Sequence, residues 1–142
     1  MTTTLDPSSK GGARALERLA TEKIAWLTTV DPAGQPQSSP IWFLWDEGEV
    51  LLFSDRRARR NGNLADHPRV AFNLPTSAGG GDVVTMEGEA RFVPDEPPSS
   101  GNAAYQAKYG EWIAEYGWTT EWFDEHYPFA IRVTPTRWRV AD

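Results

Sequence analysis

Two tight turns lying close together do most to constrain what this chain can fold into. Asp31-Pro32-Ala33-Gly34 ends the apolar, β-branched run Ile24 to Val30, and Asp46-Glu47-Gly48 divides a second extended run, Gln35 to Trp45, from a third, Glu49 to Ser54. Asp, Pro and Gly each supply turn geometry, and runs of this composition between turn signals read as strands. Connections this short join antiparallel neighbours, because a parallel pair needs a crossover of about a dozen residues or more. The first half of the chain is therefore expected to be a β-meander.

The rest of the chain extends that pattern. Leu16, Leu19 and Ala20 fall at helical spacing within Ala13 to Glu22, which predicts a short amphipathic helix. Residues 1–12 are polar with no apolar signal core, and read as a frayed tail ahead of a single domain over 13–142. Arg56 to His67 is basic and polar and is expected to be a helix stopped by Pro68, although Asn61-Gly62 weakens its middle. Arg69 to Leu74 and Asp82 to Val93 read as strands around the glycine-rich loop Thr76 to Gly81, with Gly88 placed for a bulge. After the Pro/Ser connection Pro94 to Gly101 come two short aromatic-rich helices, Asn102 to Tyr116 and Thr119 to Tyr127, and a closing strand, Phe129 to Val140. Six strands with few helices predict a mainly β fold, a closed or partly closed antiparallel barrel. A barrel this small fills its own interior, so a ligand site is expected on its outer surface or between subunits.

Charge and residue usage exclude several function classes. A net charge of -6 argues against a general nucleic-acid binder, which needs a basic face to release counterions. With no cysteine the chain has no disulfide, thiolate metal site or Cys nucleophile, which fits a cytoplasmic protein. No apolar run reaches the roughly 18 residues of a membrane span. Only two histidines are present, His67 and His126, with no H-E-x-x-H pattern, so a zinc site is not expected.

Three segments carry candidate chemistry. In Ser54-Asp55-Arg56-Arg57-Ala58-Arg59-Arg60, four arginines follow a strand end and open a helix. Arginine presents a planar fork that matches phosphate, and a helix N-terminus adds backbone N–H groups. The same run also reads as a solvated basic face. In Gln37 to Phe43, strand alternation turns Gln37, Ser39, Ile41 and Phe43 one way, a surface suited to a flat heteroaromatic ring, while Pro40 marks an edge strand or bulge. The loop Ala78-Gly79-Gly80-Gly81-Asp82 allows close backbone approach but matches neither a P-loop nor a dinucleotide fingerprint, and reads equally as a hairpin loop. Seven tryptophans could serve core or pocket, and the Tyr105 to Tyr127 region reads more readily as core than as a substrate wall. No nucleophile or general-base constellation emerges, which points to chemistry carried by a bound cofactor.

Taken together, the stretch from Ile24 to Leu74 with "GGGDVVTMEGEARFVPD" and the terminal "IRVTPTRWRV" resembles the pyridoxamine 5′-phosphate oxidase-like split-barrel family. More narrowly it is similar to the actinobacterial branch of deazaflavin-dependent oxidoreductases, which use coenzyme F420. The resemblance implies an FMN-binding-type split β-barrel that is six-stranded and antiparallel, a homodimer, and a cofactor at each subunit interface. It implies that Gln37, Ser39 and Ile41 lie along the cofactor ring and that Phe53 and Ser54 contact it. Arg59 and Arg60 would hold the phosphate, with Arg standing where the family has Lys, and Asn63 closes the same motif. Gly81, Asp82 and Val83 would reach the partner's site. It implies hydride transfer to a small conjugated substrate, with solvent able to supply any proton. FMN in place of the deazaflavin, and a non-catalytic flavin or haem carrier, are the alternatives. The sequence given ends at Val140-Ala141-Asp142 without the Arg-Leu-His-type segment of the vitamin B6 oxidases, so vitamin B6 oxidation is not expected.

Overall fold

The computed structural model describes residues 3–141. Helix α1 (Lys10–Thr21) leads into strands β1 (Ala25–Val30), β2 (Pro36–Ile41), β3 (Leu44–Asp46) and β4 (Glu49–Ser54). Helix α2 (Arg59–Asp66), β5 (Arg69–Asn73) and β6 (Val83–Phe92) follow, then helices α3 (Ala103–Glu115) and α4 (Thr120–His126) and strand β7 (Phe129–Ala141). The seven strands form one sheet in the order β2-β1-β5-β6-β7-β4-β3, and every pairing is antiparallel.

That order shows why the sheet curls. β2 and β3 occupy opposite ends of the sheet, yet only Trp42 and Phe43 separate them in sequence. Ile41 and Leu44 are therefore within about 11 Å of each other, and the two sheet ends must approach. The result is a barrel with a split between β2 and the β3–β4 edge, where β3 covers only the first half of β4, the split-barrel fold.

The run read as one strand from Gln35 to Trp45 is two, which gives seven strands instead of six. No glycine marks the break. Helix α3 makes it: Tyr109 Oη accepts from the Phe43 N–H (2.8 Å) and donates to the Lys23 carbonyl (2.7 Å), while Lys108 Nζ donates to the Phe43 carbonyl (2.8 Å). Phe43 thus spends its backbone groups on a helix instead of a strand and buries its ring against Phe72.

Two apolar clusters share β4. Val50 and Leu52 point into the barrel with Leu27, Phe72, Met86 and Ile131, where α1 adds Ala15 and Leu19. Leu51 and Phe53 point outward against Tyr105, Tyr109 and Ile113 of α3 and Phe123 of α4. A strand covered on both faces needs an unbroken apolar run, and Val50-Leu51-Leu52-Phe53 is one.

The remaining differences are local. α1 begins at Lys10, not Ala13, because Ser9 caps it, accepting from the Gly12 N–H (3.0 Å). Gly11 and Gly12 look like helix breakers, but a Cβ on Gly12 would lie 2.0 Å from the Asp6 carbonyl oxygen, so the cap turn requires glycine there. Ahead of it Leu5 packs on the barrel core, while Met1 and Thr2 of the expected tail lie outside the described residues. α2 begins at Arg59, not Arg56, because Asp55 holds a turn, accepting the Arg57 N–H on Oδ1 (2.8 Å) and the Ala58 N–H on its carbonyl (3.0 Å). A register shift falls between Glu87 and Gly88, at the expected bulge.

Candidate functional site

Helix α2 lies across the open side of the barrel, and Asn63 fixes its roll. Asn63 is buried, and its Nδ2 donates to Thr29 Oγ1 (3.0 Å) on β1 and to Gln37 Oε1 (2.9 Å) on β2. Leu64 beside it enters the barrel core. Residues three and four apart share a helix face, so Arg60 is turned inward with this pair. Arg59 is exposed.

Arg60 bridges the split. Its Nη2 donates to Ser39 Oγ (2.9 Å) on β2 and its Nη1 to Ser54 Oγ (3.1 Å) on β4, two strands that are not neighbours in the sheet. Its Nε is buried without a hydrogen-bond partner among the described residues. No carboxylate lies within ion-pair distance of it there; the pairs that form involve other arginines. Burial consequently pushes its pKa down, with the more distant Asp55 opposing. A desolvated cation that meets only hydroxyls is costly unless an anion joins it.

A cavity of about 690 Å³ opens beside this guanidinium. Asp55, Arg57, Ala58 and Arg60 line part of it. Pro40, Ile41, Leu52 and Phe53 supply strand wall, and Trp42, Tyr105, Tyr116, Trp118, Phe123 and Tyr127 supply rings. The volume is in the range of small-molecule sites. Trp42 lies flat against Tyr109, with ring centres 4.8 Å apart and planes 2° apart. Tyr127 stacks on Phe123 at 4.5 Å, and its phenol pKa is raised by burial and by Asp55.

Five of the residues singled out from sequence thus fall into two hydrogen-bonded sets on α2, Arg60 with Ser39 and Ser54, and Asn63 with Gln37, of which Arg60 alone lines the cavity. Ile41 and Phe53 stand in the cavity wall. Arg59 lies outside the lining, as do Gly81, Asp82 and Val83. Asp82 instead locks the loop before β6 onto α1: its carboxylate pairs with Arg14 (3.0 Å) and Arg18 (3.5 Å), and its carbonyl accepts from Arg18. Phe43, expected on the ring-facing side of the strand, belongs to the barrel core. The aromatic helices serve as core, as expected, and two of the buried rings, Tyr105 and Phe123, also line the cavity. Trp42 was not singled out; aromatic Trp-Phe after a proline-bearing edge strand is the signal that could have found it. Neither His67 nor His126 lines the cavity, and no cluster of metal-ligating side chains occurs among the described residues.

A curled antiparallel sheet, split beside β2, with an inward arginine across the split and a ring-lined cavity next to it, defines a split-barrel protein of the pyridoxamine 5′-phosphate oxidase-like type. The chain belongs to the pyridoxamine 5′-phosphate oxidase family, whose model matches residues 13–142. No curated protein sequence matches it. Among solved structures, an F420 reductase is 22% identical with a TM-score of 0.64, covering 87% of this chain and 94% of its own. A conserved protein of Mycobacterium tuberculosis is 22% identical with a TM-score of 0.71, covering 99% and 90%. The haem storage protein HutZ of Vibrio cholerae is 20% identical with a TM-score of 0.60, covering 97% and 95%. At these identities the likeness is one of fold.

Proposed function

We propose that this protein is a cytoplasmic, homodimeric oxidoreductase that binds a flavin-type cofactor by its phosphate, coenzyme F420 in preference to FMN, and serves hydride transfer to a small conjugated substrate. The observation that carries this reading is Arg60: a desolvated guanidinium on the cavity wall, held by two hydroxyls and lacking a carboxylate partner. Such a group fits the terminal phosphate or phosphodiester of a cofactor. The cofactor would supply the redox chemistry. The chain supplies the rest. Ser39 and Ser54 aim the arginine, Asn63 orients the Gln37 amide, and Ile41 and Phe53 present apolar wall. Arg59 would act by long-range attraction alone. Gly81, Asp82 and Val83 are assigned to the partner subunit's cofactor.

The preference for the deazaflavin rests on the narrower resemblance of the segments quoted above, joined by the fold likeness to an F420 reductase. A haem-carrier role has the fold likeness to HutZ behind it. However, His126 stacks on Trp122 with ring centres 3.9 Å apart and engages the Trp122 carbonyl, away from the cavity lining. Titration of the purified protein with coenzyme F420 and, separately, FMN tests the proposal. Saturable binding, tighter for F420, is expected. Indifference to both would overturn it.

A further inference from the structure

We infer that the cavity accepts a singly charged phosphodiester at Arg60 in preference to a doubly charged phosphomonoester, and that Asp55 makes this selection. The inference rests on the reading above that a cofactor phosphate meets Arg60, and it specifies the charge of that phosphate.

The charges of the lining carry it. Asp55, Arg57 and Arg60 are the charged residues that line the cavity, and together they leave one net positive charge. Arg56 and Arg59 are exposed and stand outside the lining, where water and salt screen them. Exposure also divides the three that remain. The Arg57 side chain is 82% exposed and that of Asp55 29%. Arg60 is partly buried. The least screened charges are thus one guanidinium and one carboxylate lining the same cavity. A phosphodiester brings one negative charge, which Arg60 offsets. A phosphomonoester at pH 8 brings about two. Its second charge would meet Asp55 in a partly desolvated site, with only the exposed Arg57 left to offset it, and a like charge that is not offset is costly there.

Asp55 carries a charge that the local structure does not require. Its Oδ1 accepts the Arg57 N–H at 2.8 Å, and the amide oxygen of an asparagine would accept it equally. Its carbonyl accepts from the Ala58 N–H (3.0 Å) and from Asn61 Nδ2 (2.8 Å), bonds that any residue could take. Among the described residues its ion pair is with Arg57, Nε to Oδ1 at 3.6 Å, and not with Arg60. Its field nevertheless reaches the cavity wall. It opposes the fall that burial causes in the Arg60 pKa, and it adds to the rise that burial causes at Tyr127. A turn residue that sets a negative charge beside an anion site acts as a filter on the charge of the anion.

Calorimetric titration with FMN and with its monomethyl phosphate ester tests this, because the two differ only in one ionisable phosphate oxygen. At pH 8, wild type is expected to bind the ester about tenfold tighter than FMN. At pH 5.5 the gap should shrink to about threefold or less, because the second ionisation of a phosphomonoester lies at about pH 6. Besides Asp55, Arg57 and Arg60, the titratable groups of the lining are Tyr105, Tyr116 and Tyr127, and none of these residue types ordinarily titrates in that interval. In Asp55→Asn the ester's advantage at pH 8 should vanish, with FMN gaining more affinity than the ester. FMN binding to wild type at pH 8 as tightly as the ester overturns the inference, as does an advantage that Asp55→Asn leaves intact. Should that variant not fold, wild type alone decides: an ester advantage that shrinks at pH 5.5 supports the inference, and one that persists undiminished overturns it. If F420 binds no tighter than the ester while the selection holds, the deazaflavin reading falls and the role of Asp55 stands. If no flavin or deazaflavin binds, the cofactor reading falls, and methyl phosphate against dimethyl phosphate at pH 8, followed by protein NMR shifts, decides the selection. Tighter binding of the diester supports it; tighter binding of the monoester, or binding of neither, overturns it.

Discussion

Ser39 Oγ accepts a 2.9 Å hydrogen bond from Arg60 Nη2, and this contact joins an edge strand to a helix across the open side of the barrel. Because Ser39 is neutral, the bond leaves the guanidinium charge uncompensated. Replacing Arg60 should therefore act on ligand binding more than on folding. Charge-assisted hydrogen bonds contribute on the order of 1.5–3 kcal/mol, so Arg60→Ala should weaken F420 binding at least about tenfold. Arg59→Ala, changing an exposed residue outside the lining, should alter it little, and the double variant should match Arg60→Ala. Fluorescence titration of the three variants checks this; equal losses for the two single changes would remove the special place given to Arg60.

Asn63 makes the opposite kind of contribution. It is buried, and its amide spans β1 and β2 while its helix carries Arg60. Asn63→Ala leaves Thr29 and Gln37 short of a donor, at a cost of about 1–3 kcal/mol. Urea unfolding should show that loss, and cofactor affinity should fall with it because the roll of α2 is no longer held. Full stability with normal binding would show that Leu64 alone suffices to set the helix.

How much of this was legible beforehand varied with the range of the interaction responsible. The two turns and the aromatic helices depend on neighbours in sequence, and they could be read there; the bulge at Gly88 was marked by its glycine, although the crowding that requires it comes from Thr134 and Val133 on β7. The inward turn of Arg60 was half legible. Four nearby arginines look equivalent, but counting three and four residues forward reaches Asn63 and Leu64, the pair that faces the barrel. The break at Trp42-Phe43 was not legible, because its cause is Tyr109, 66 residues further on. The start of α1 misled for a related reason: glycine at position 12 answers to the Asp6 carbonyl and not to helix propensity. The expected place of Asp82 in a partner's site is a matter of assembly, and within one chain its carboxylate serves Arg14 and Arg18.

Acid should expose a second network. Hydrogen bonds from Arg91, then Thr134, lower the Glu49 pKa from its ordinary value of 4.5 to about 2, against the opposing effect of burial. The folded value lies below the unfolded one. The stabilisation is therefore present above pH 4.5 and is lost as pH falls towards 2. The Arg91 partner is half exposed, so the effect should stay below about 1 kcal/mol. Wild type should unfold at higher urea than Glu49→Gln at pH 6, and the gap should narrow steadily as pH falls from 4.5 towards 2. A gap that persists in acid would mean that the carboxylate's charge is not what the network uses.

The two tyrosines on the inner face of α3 give the sharpest contrast, because one substitution should have opposite results one turn apart. Their rings lie 4.9 Å apart and both are fully buried. Tyr109 Oη accepts the Phe43 N–H and donates to the Lys23 carbonyl, at the point where the chain leaves β2 for β3. Tyr109→Phe strands that buried N–H, and the expected cost is about 1–3 kcal/mol. Trp42 can still stack on a phenylalanine ring, so the cavity wall should survive in the folded fraction. Tyr105→Phe removes a hydroxyl with no partner, so it should be neutral or stabilising. Thermal and urea unfolding of the two variants side by side checks the contrast. Equal destabilisation would mean that the Tyr105 hydroxyl has a structural partner in solution.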